Sequence, residues 1–143
     1  MEFDYIEAMK LSNQLCFPLY AAARKITSLY TPLLKEYGLT YTQYIVLMTL
    51  WEKDGLSVSE IGQRLLLDNG TLSPLLKKIE QKSYIIRQRS STDDRVIIVT
   101  LTDAGRALQN QLKFVPKEIA NCVDLSHEKT ILLKKLLNDF LKK

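Results

Sequence analysis

The chain has 143 residues, enough for one domain with one good core but not for two. Twenty Lys and Arg against sixteen Asp and Glu leave a net charge of +4, and 46% apolar with 25% charged residues is an ordinary globular composition. Five Gly and four Pro are too few for a turn-rich all-β fold, and no apolar run approaches the roughly 18 residues of a membrane span. The acidic start Met1-Glu2-Phe3-Asp4 lacks a secretory-signal pattern, so collagen-like, membrane, disulfide-stapled secreted and disordered classes fall away and a cytoplasmic location is expected.

Residues 4–37 read as one long helix, with Leu11, Leu15, Leu19, Ile26 and Leu33 recurring at helical spacing. Pro18 and Pro32 predict kinks or a break, and Gly38 a C-cap. Thr40-Tyr41-Thr42-Gln43 is a capping box opening a helix to about Lys53, with Tyr44, Leu47, Met48 and Trp51 inward. Ser57-Val58-Ser59-Glu60 is a second, opening a short helix through Leu65 with Val58, Ile61 and Leu65 on one face. Asp68-Asn69-Gly70 reads as a turn. Leu72, Leu75, Leu76 and Ile79 then mark an amphipathic helix to about Lys82, with Pro74 in or just after its first turn.

The period then changes. Ile85–Arg89 and Val96–Leu101 are β-branched runs flanking the polar loop 90–95, which predicts a β-hairpin. Thr102 caps a further helix to about Val115, interrupted or bent at Pro116, and Ser126 caps the last, with Ile131, Leu136 and Phe140 on its apolar face. The order predicts a mainly α fold with a small β-hairpin wing. Residues 40–101 form a winged helix-turn-helix core, and residues 1–39 and 102–143 supply amphipathic helices too few to bury themselves alone. A homodimer solves that shortage.

Enzyme signatures are absent: there is no Gly-rich phosphate loop, no nucleophile elbow and no acid–base pair around a histidine, so neither enzyme chemistry nor a cofactor is expected. Cys16 and Cys122 form no CxxC, and with His127 the lone histidine no metal site is expected. His127 reads as a first-turn surface residue, and Tyr5, Tyr37, Tyr44, Tyr84 and Trp51 as packing.

A helix-turn-helix sets small polar residues of its second helix against base edges in the major groove. Here that helix exposes Asn69, Thr71 and Ser73 early and Lys77 and Lys78 a turn later. Lys77, Lys78, Lys82, Arg87, Arg89 and Arg95 outnumber the acidic Glu80, Asp93 and Asp94 in the same stretch, suiting double-stranded DNA as partner. Arg95 at the hairpin tip suits a narrow minor groove. It can equally pair with Asp93 or Asp94 to stiffen the loop, and the charges taken alone are equally compatible with a solvated face.

Asp94-Arg95 followed by Val96 to Thr102 reads D-R-x-x-x-x-x-L-T, and with this motif the chain resembles the MarR winged-helix regulators. The segments Leu15-Cys16-Phe17-Pro18-Leu19-Tyr20, Leu39-Thr40-Tyr41-Thr42-Gln43-Tyr44 and Leu67 to Lys77 resemble the thiol-based branch, the organic hydroperoxide resistance regulators and their relatives. The likeness spans nearly the whole chain. It implies a homodimeric repressor of an oxidative-stress operon that binds a pseudopalindromic operator and is released when organic hydroperoxide or another oxidant reaches its first-helix cysteine.

By that resemblance Cys16 is the reactive thiol, and Tyr20, Tyr30 and Tyr41 supply the phenolic hydrogen bonds to its thiolate, the last two across the dimer. Peroxide attacks thiolate rather than thiol, and a phenol stabilises the anion without adding charge. Oxidation gives a sulfenic acid first. The resemblance makes Cys122 of the other subunit the resolving partner; an incidental cysteine is the alternative. Pro18 and Pro116 stand out as departures in local helix geometry. Two competing functions are a MarR-type sensor of a small phenolic ligand, with Cys16 structural, and a thiol peroxidase using both cysteines.

Overall fold

The computed structural model describes residues 3–142. The predicted N-terminal helix is divided. α1 spans Tyr5–Met9, a 3-10 turn covers Leu11–Asn13, and α2 runs Cys16–Leu34 before a second 3-10 turn at Lys35–Tyr37. The division falls at residues 10–15, not at either proline. Asn13 Nδ2 donates to the carbonyl of Glu7 at 2.8 Å and Gln14 Nε2 to that of Ala8, so side chains replace the backbone donors that would have continued α1. Pro18 lies in the first turn of α2, where its missing N–H has no partner to lose, and Pro32 is carried inside the same helix. Gly38 closes the segment at φ 63°, a left-handed cap that a side chain would resist.

α3 (Tyr41–Glu52) and α4 (Val58–Leu65) open with the two capping boxes read from the sequence, both reciprocal. Asp68-Asn69-Gly70 is not a free turn: Asp68 is the N-cap of α5 (Asn69–Gln81), and Asn69 and Gly70 are its first residues. β2 (Ile85–Arg89) and β3 (Ile97–Leu101) form the expected antiparallel hairpin, with Ile85 opposite Leu101 and Arg89 opposite Ile97. A short strand absent from the sequence reading, β1 (Leu56–Ser57), pairs with β3 and makes a three-stranded sheet of order β1-β3-β2. Two residues carry too little pattern to be read locally; only the ladder with β3 defines them.

α6 (Asp103–Gln111) ends before the predicted Val115, and α7 (Val115–Cys122) begins there with Pro116 in its first turn. Pro116 therefore starts a helix rather than bending one. α8 (His127–Leu141) is capped by Ser126, and His127 is its first residue, exposed. Leu47, Leu50, Ile61, Leu72, Leu76 and Ile79, all nearly inaccessible, join α3, α4 and α5 into one core, which Ile85, Val99 and Leu108 extend under the sheet and α6. Met48 and Tyr5 depart from the packing expected of them: Met48 is 38% exposed and Tyr5 lies on the surface against Phe3. Tyr37, Tyr44, Tyr84 and Trp51 do pack on the core.

Gly105 fixes how α6 meets the wing. A Cβ there would sit 2.1 Å from the carbonyl oxygen of Tyr84, the residue leading into β2. Trp51 Nε1 donates to the Gly105 carbonyl at 2.9 Å, tying α3 to the same point. At the chain ends the opposite holds. Tyr5, Ile6, Met9, Leu15 and Phe17, and on α8 Ile131, Leu136 and Phe140, are exposed large apolar side chains. Among the described residues no helix is long and apolar enough to cross a membrane.

Candidate nucleic-acid interface and thiol site

The α4–α5 unit is held by local hydrogen bonds. Ser57 and Glu60 cap α4 reciprocally, and the Ser57 backbone N–H holds the Glu60 carboxyl below its ordinary range. α4 ends at Leu66 in the left-handed region, φ 55°, which reverses the chain in a short connection. The Asp68 carboxylate then accepts the Thr71 N–H at 2.7 Å, and this bond, at the positive end of α5, lowers its pKa. Leu72, Leu76 and Ile79 anchor one face of α5 in the core, which turns Asn69, Thr71, Ser73, Lys77 and Lys78 outward, all exposed.

The wing presents its basic residues differently. Arg89 is exposed on β2. Arg95, with its side chain 91% exposed at the hairpin loop, is braced by Asp93, whose Oδ1 accepts both the Arg95 N–H at 3.0 Å and Nε at 3.2 Å. Brace and outward projection coexist. Arg87 is instead engaged by Glu80 of α5, with Nη2 to Oε2 at 2.8 Å. Glu80 was not singled out from the sequence, because the two residues meet across a corner turned by Ser83 in the left-handed region, φ 63°.

Cys16 is the first residue of α2 and Cys122 the last of α7; both are free and exposed. The residue before Cys16, Leu15, makes no side-chain cap on the start of α2. Tyr20 lies one turn further along α2, and the Arg24 guanidinium, one turn beyond, covers its ring at 5.4 Å. Tyr30 and Tyr41 meet in a tilted ring contact with centroids 4.7 Å apart, and Tyr44 is 5.8 Å from Tyr30. Burial, and then the neighbouring Tyr41 phenol, push the Tyr30 hydroxyl up, so it stays protonated and able to donate.

Tyr30 stands about 21 Å along the same helix from Cys16 at roughly 1.5 Å per residue. Tyr30 and Tyr41 are therefore in contact and Tyr20 lies one helical turn from Cys16, but the two groups stand apart within one protomer. A cleft of about 730 Å³ between α2 and α3 is lined by Tyr41, Thr40, Thr42, Ser28, Arg24 and Lys25, among others. Arg24 and Lys25 were not among the residues singled out from sequence, although the Cys16, Tyr20, Arg24 spacing of one helical turn carries the signal. Among the described residues no group of three His, Cys, Asp or Glu side chains is arranged to hold a metal.

A helix-turn-helix with an exposed polar face on its second helix and an arginine-tipped wing defines a winged-helix DNA-binding protein. The family of SarA/Rot transcriptional regulators matches residues 28–112, and the chain belongs to it. It is 43% identical to the HTH-type transcriptional regulator SarZ of Staphylococcus epidermidis over 97% of this chain and 94% of that one. It is 42% identical to the organic hydroperoxide resistance transcriptional regulator of Bacillus subtilis over 98% of this chain and 93% of that one. Among solved structures, reduced AbfR bound to DNA superposes with a TM-score of 0.80 at 38% identity, covering 97% of each chain. Overoxidised AbfR bound to DNA gives 0.80 at 36%, over 97% of this chain and 98% of that one. Disulfide-formed AbfR gives 0.67 at 38%, over 94% and 95%. The relatives are transcriptional regulators, not enzymes, and the thiol peroxidase reading is set aside.

Proposed function

We propose that this chain is a homodimeric, redox-switched repressor that leaves a pseudopalindromic operator when organic hydroperoxide oxidises Cys16. The observation carrying the proposal is the separation of the two halves of the thiol site. Tyr30 stands about 21 Å along α2 from its own Cys16, with Tyr41 packed against it, so a second copy is needed to bring a thiol to them. The exposed apolar faces of α1, the start of α2 and α8 provide the surface for that copy. The chemistry balances with the residues present. The Cys16 thiolate attacks the distal peroxide oxygen, an S–O bond forms as O–O breaks, the sulfur loses two electrons, and the alcohol leaves after taking a proton. The Cys122 thiolate of the other subunit then attacks the sulfenic sulfur, forming S–S and releasing water. That bond would shift α2 against α7 and re-space the recognition helices.

AbfR bears on the second step: it occurs on DNA both reduced and overoxidised, and also in a disulfide-formed state to which this chain is less similar. Release by the disulfide rather than by oxidised sulfur itself accommodates all three. In the DNA complex Asn69, Thr71 and Ser73 face bases, Lys77, Lys78 and Arg89 neutralise phosphates, and Arg95 enters the minor groove.

The test is a non-reducing gel and intact mass after stoichiometric organic hydroperoxide, beside operator binding on the same sample. A dimer-sized, thiol-reversible band with lost binding is expected. Unchanged mass with retained binding overturns the redox reading. A second reading is a small phenolic or anionic effector held in the open groove beside Arg24, Lys25 and Tyr41. Cys16→Ser separates the two, abolishing the response in the first and sparing it in the second.

A further inference from the structure

The recognition helix and the wing meet at one corner, and a single ion pair spans it. Glu80, in the last turn of α5, accepts the backbone N–H of Arg87 through Oε1 at 3.0 Å, and Nε and Nη2 of the same residue through Oε2 at 3.1 and 2.8 Å. The side chains are 26% exposed for Arg87 and 35% for Glu80, so neither is freely solvated. β2 is an edge strand, and the Arg87 N–H points away from β3. Such edge donors otherwise face water or invite another strand. The carboxylate thus satisfies the strand edge and the guanidinium fork at once, and the Arg87 hydrogen bonds hold the Glu80 carboxyl below its ordinary range. Across the same corner Thr102 Oγ1 donates to the Ser83 carbonyl at 2.6 Å, securing the turn between the two elements.

We propose that Glu80 and Arg87 are a positioning pair that locks the wing to the recognition helix, so that both engage DNA as one rigid body and Arg87 acts through the wing rather than on a phosphate. This rests on the DNA-binding role of the fold and is independent of whether Cys16 is the sensor. It carries an unusual sign. Glu80 is a negative charge close to a polyanion, and simple electrostatics makes its removal strengthen binding. Positioning makes the same removal weaken binding, because Arg89 and Arg95 lose their fixed placement.

The experiment uses the full, reduced chain with Glu80→Gln, Arg87→Gln and the double variant, titrated against a duplex selected from random sequence by the wild-type protein. Amide hydrogen exchange across β2 is followed in parallel. Glu80→Gln is expected to bind about tenfold more weakly and to exchange faster at Ile86–Arg89, with the double variant no worse than either single. Equal or tighter binding by Glu80→Gln, unchanged exchange, or losses that add in the double variant each overturn the proposal. Arg87→Lys keeps the charge but not the fork, which covers the case of a variant that folds poorly. Weakening like that of Arg87→Gln supports positioning; wild-type affinity and salt dependence identify a phosphate contact and refute it.

Discussion

Replacing Gly105 by Ala sets a local rule against a tertiary contact. Within a helix, Ala is favoured over Gly by about 1 kcal/mol, so helix propensity alone predicts a more stable protein. In the fold the new Cβ would lie 2.1 Å from the Tyr84 carbonyl oxygen and 3.2 Å from Leu101 Cδ2, against 3.4–4 Å for ordinary contact. α6 would have to withdraw by more than an ångström. Three bonds resist that: Trp51 Nε1 to the Gly105 carbonyl at 2.9 Å, the Gly105 N–H to Thr102 Oγ1 at 3.0 Å, and the Thr102 N–H to the Tyr84 carbonyl at 3.0 Å. Overpacking a core costs about 1–3 kcal/mol, and one or two strained hydrogen bonds cost about 1 kcal/mol each. After the propensity gain, a net loss of about 3 kcal/mol is expected. Urea unfolding of the reduced protein, followed by circular dichroism at one fixed chain concentration, measures it. Operator affinity falls in step, because Tyr84 leads directly into the wing. A Gly105→Ala protein as stable as wild type, or more so, would refute the reasoning.

Tyr30→Phe or Tyr41→Phe should slow Cys16 oxidation by hydroperoxide in stopped-flow thiol assays and leave DNA binding by the reduced protein nearly unchanged; wild-type rates in both remove their activating role. Arg95→Ala should weaken operator binding by about 1–3 kcal/mol if it reaches a base edge. Unchanged affinity makes its bond to Asp93 a loop brace alone. Cys122→Ser should still lose its Cys16 thiol but form no covalent dimer on a non-reducing gel, moving on to mixed disulfides or overoxidised sulfur; a wild-type product pattern takes Cys122 out of the mechanism. Glu60, Asp68 and Glu80 are held below their ordinary values of 4.5, 3.8 and 4.5 by hydrogen bonds from Ser57, Thr71 and Arg87 respectively. Their contribution is complete above those values and lost as pH falls through the lower folded ones. Stability should therefore be level near neutrality and fall in acid, and a denaturation series level down to pH about 3 would contradict the sign.

Much of the molecule was legible residue by residue. Thr40 with Gln43 and Ser57 with Glu60 each place a hydroxyl and an amide or carboxyl three apart, and that spacing marks a helix start from neighbouring residues. The stripe Leu72, Leu75, Leu76, Ile79 marks the buried face of α5, and by subtraction its outward face. The β-branched runs around 90–95 require a hairpin for the same local reason. Asn13 and Gln14 show where locality misleads. Their apolar neighbours keep a helical period, while their own amides compete for the α1 carbonyls and divide the helix.

Tertiary structure decided whatever depends on which distant groups meet. β1 exists because Leu56 lies opposite Val99, and Gly105 is required because Tyr84 comes against it. Sequence alone makes Arg87 one more cation of a basic patch; the fold brings Glu80 across the corner to pair with it. Tyr30 and Tyr41, on either side of a helix end, come into ring contact, and α2 carries Cys16 away from them. Local hydrogen bonds and side-chain period are written into neighbouring residues, so sequence determines the elements. A contact across the fold depends on angles and separations set by the packing of the whole core, so only the assembled structure shows which charges are paired and which project freely.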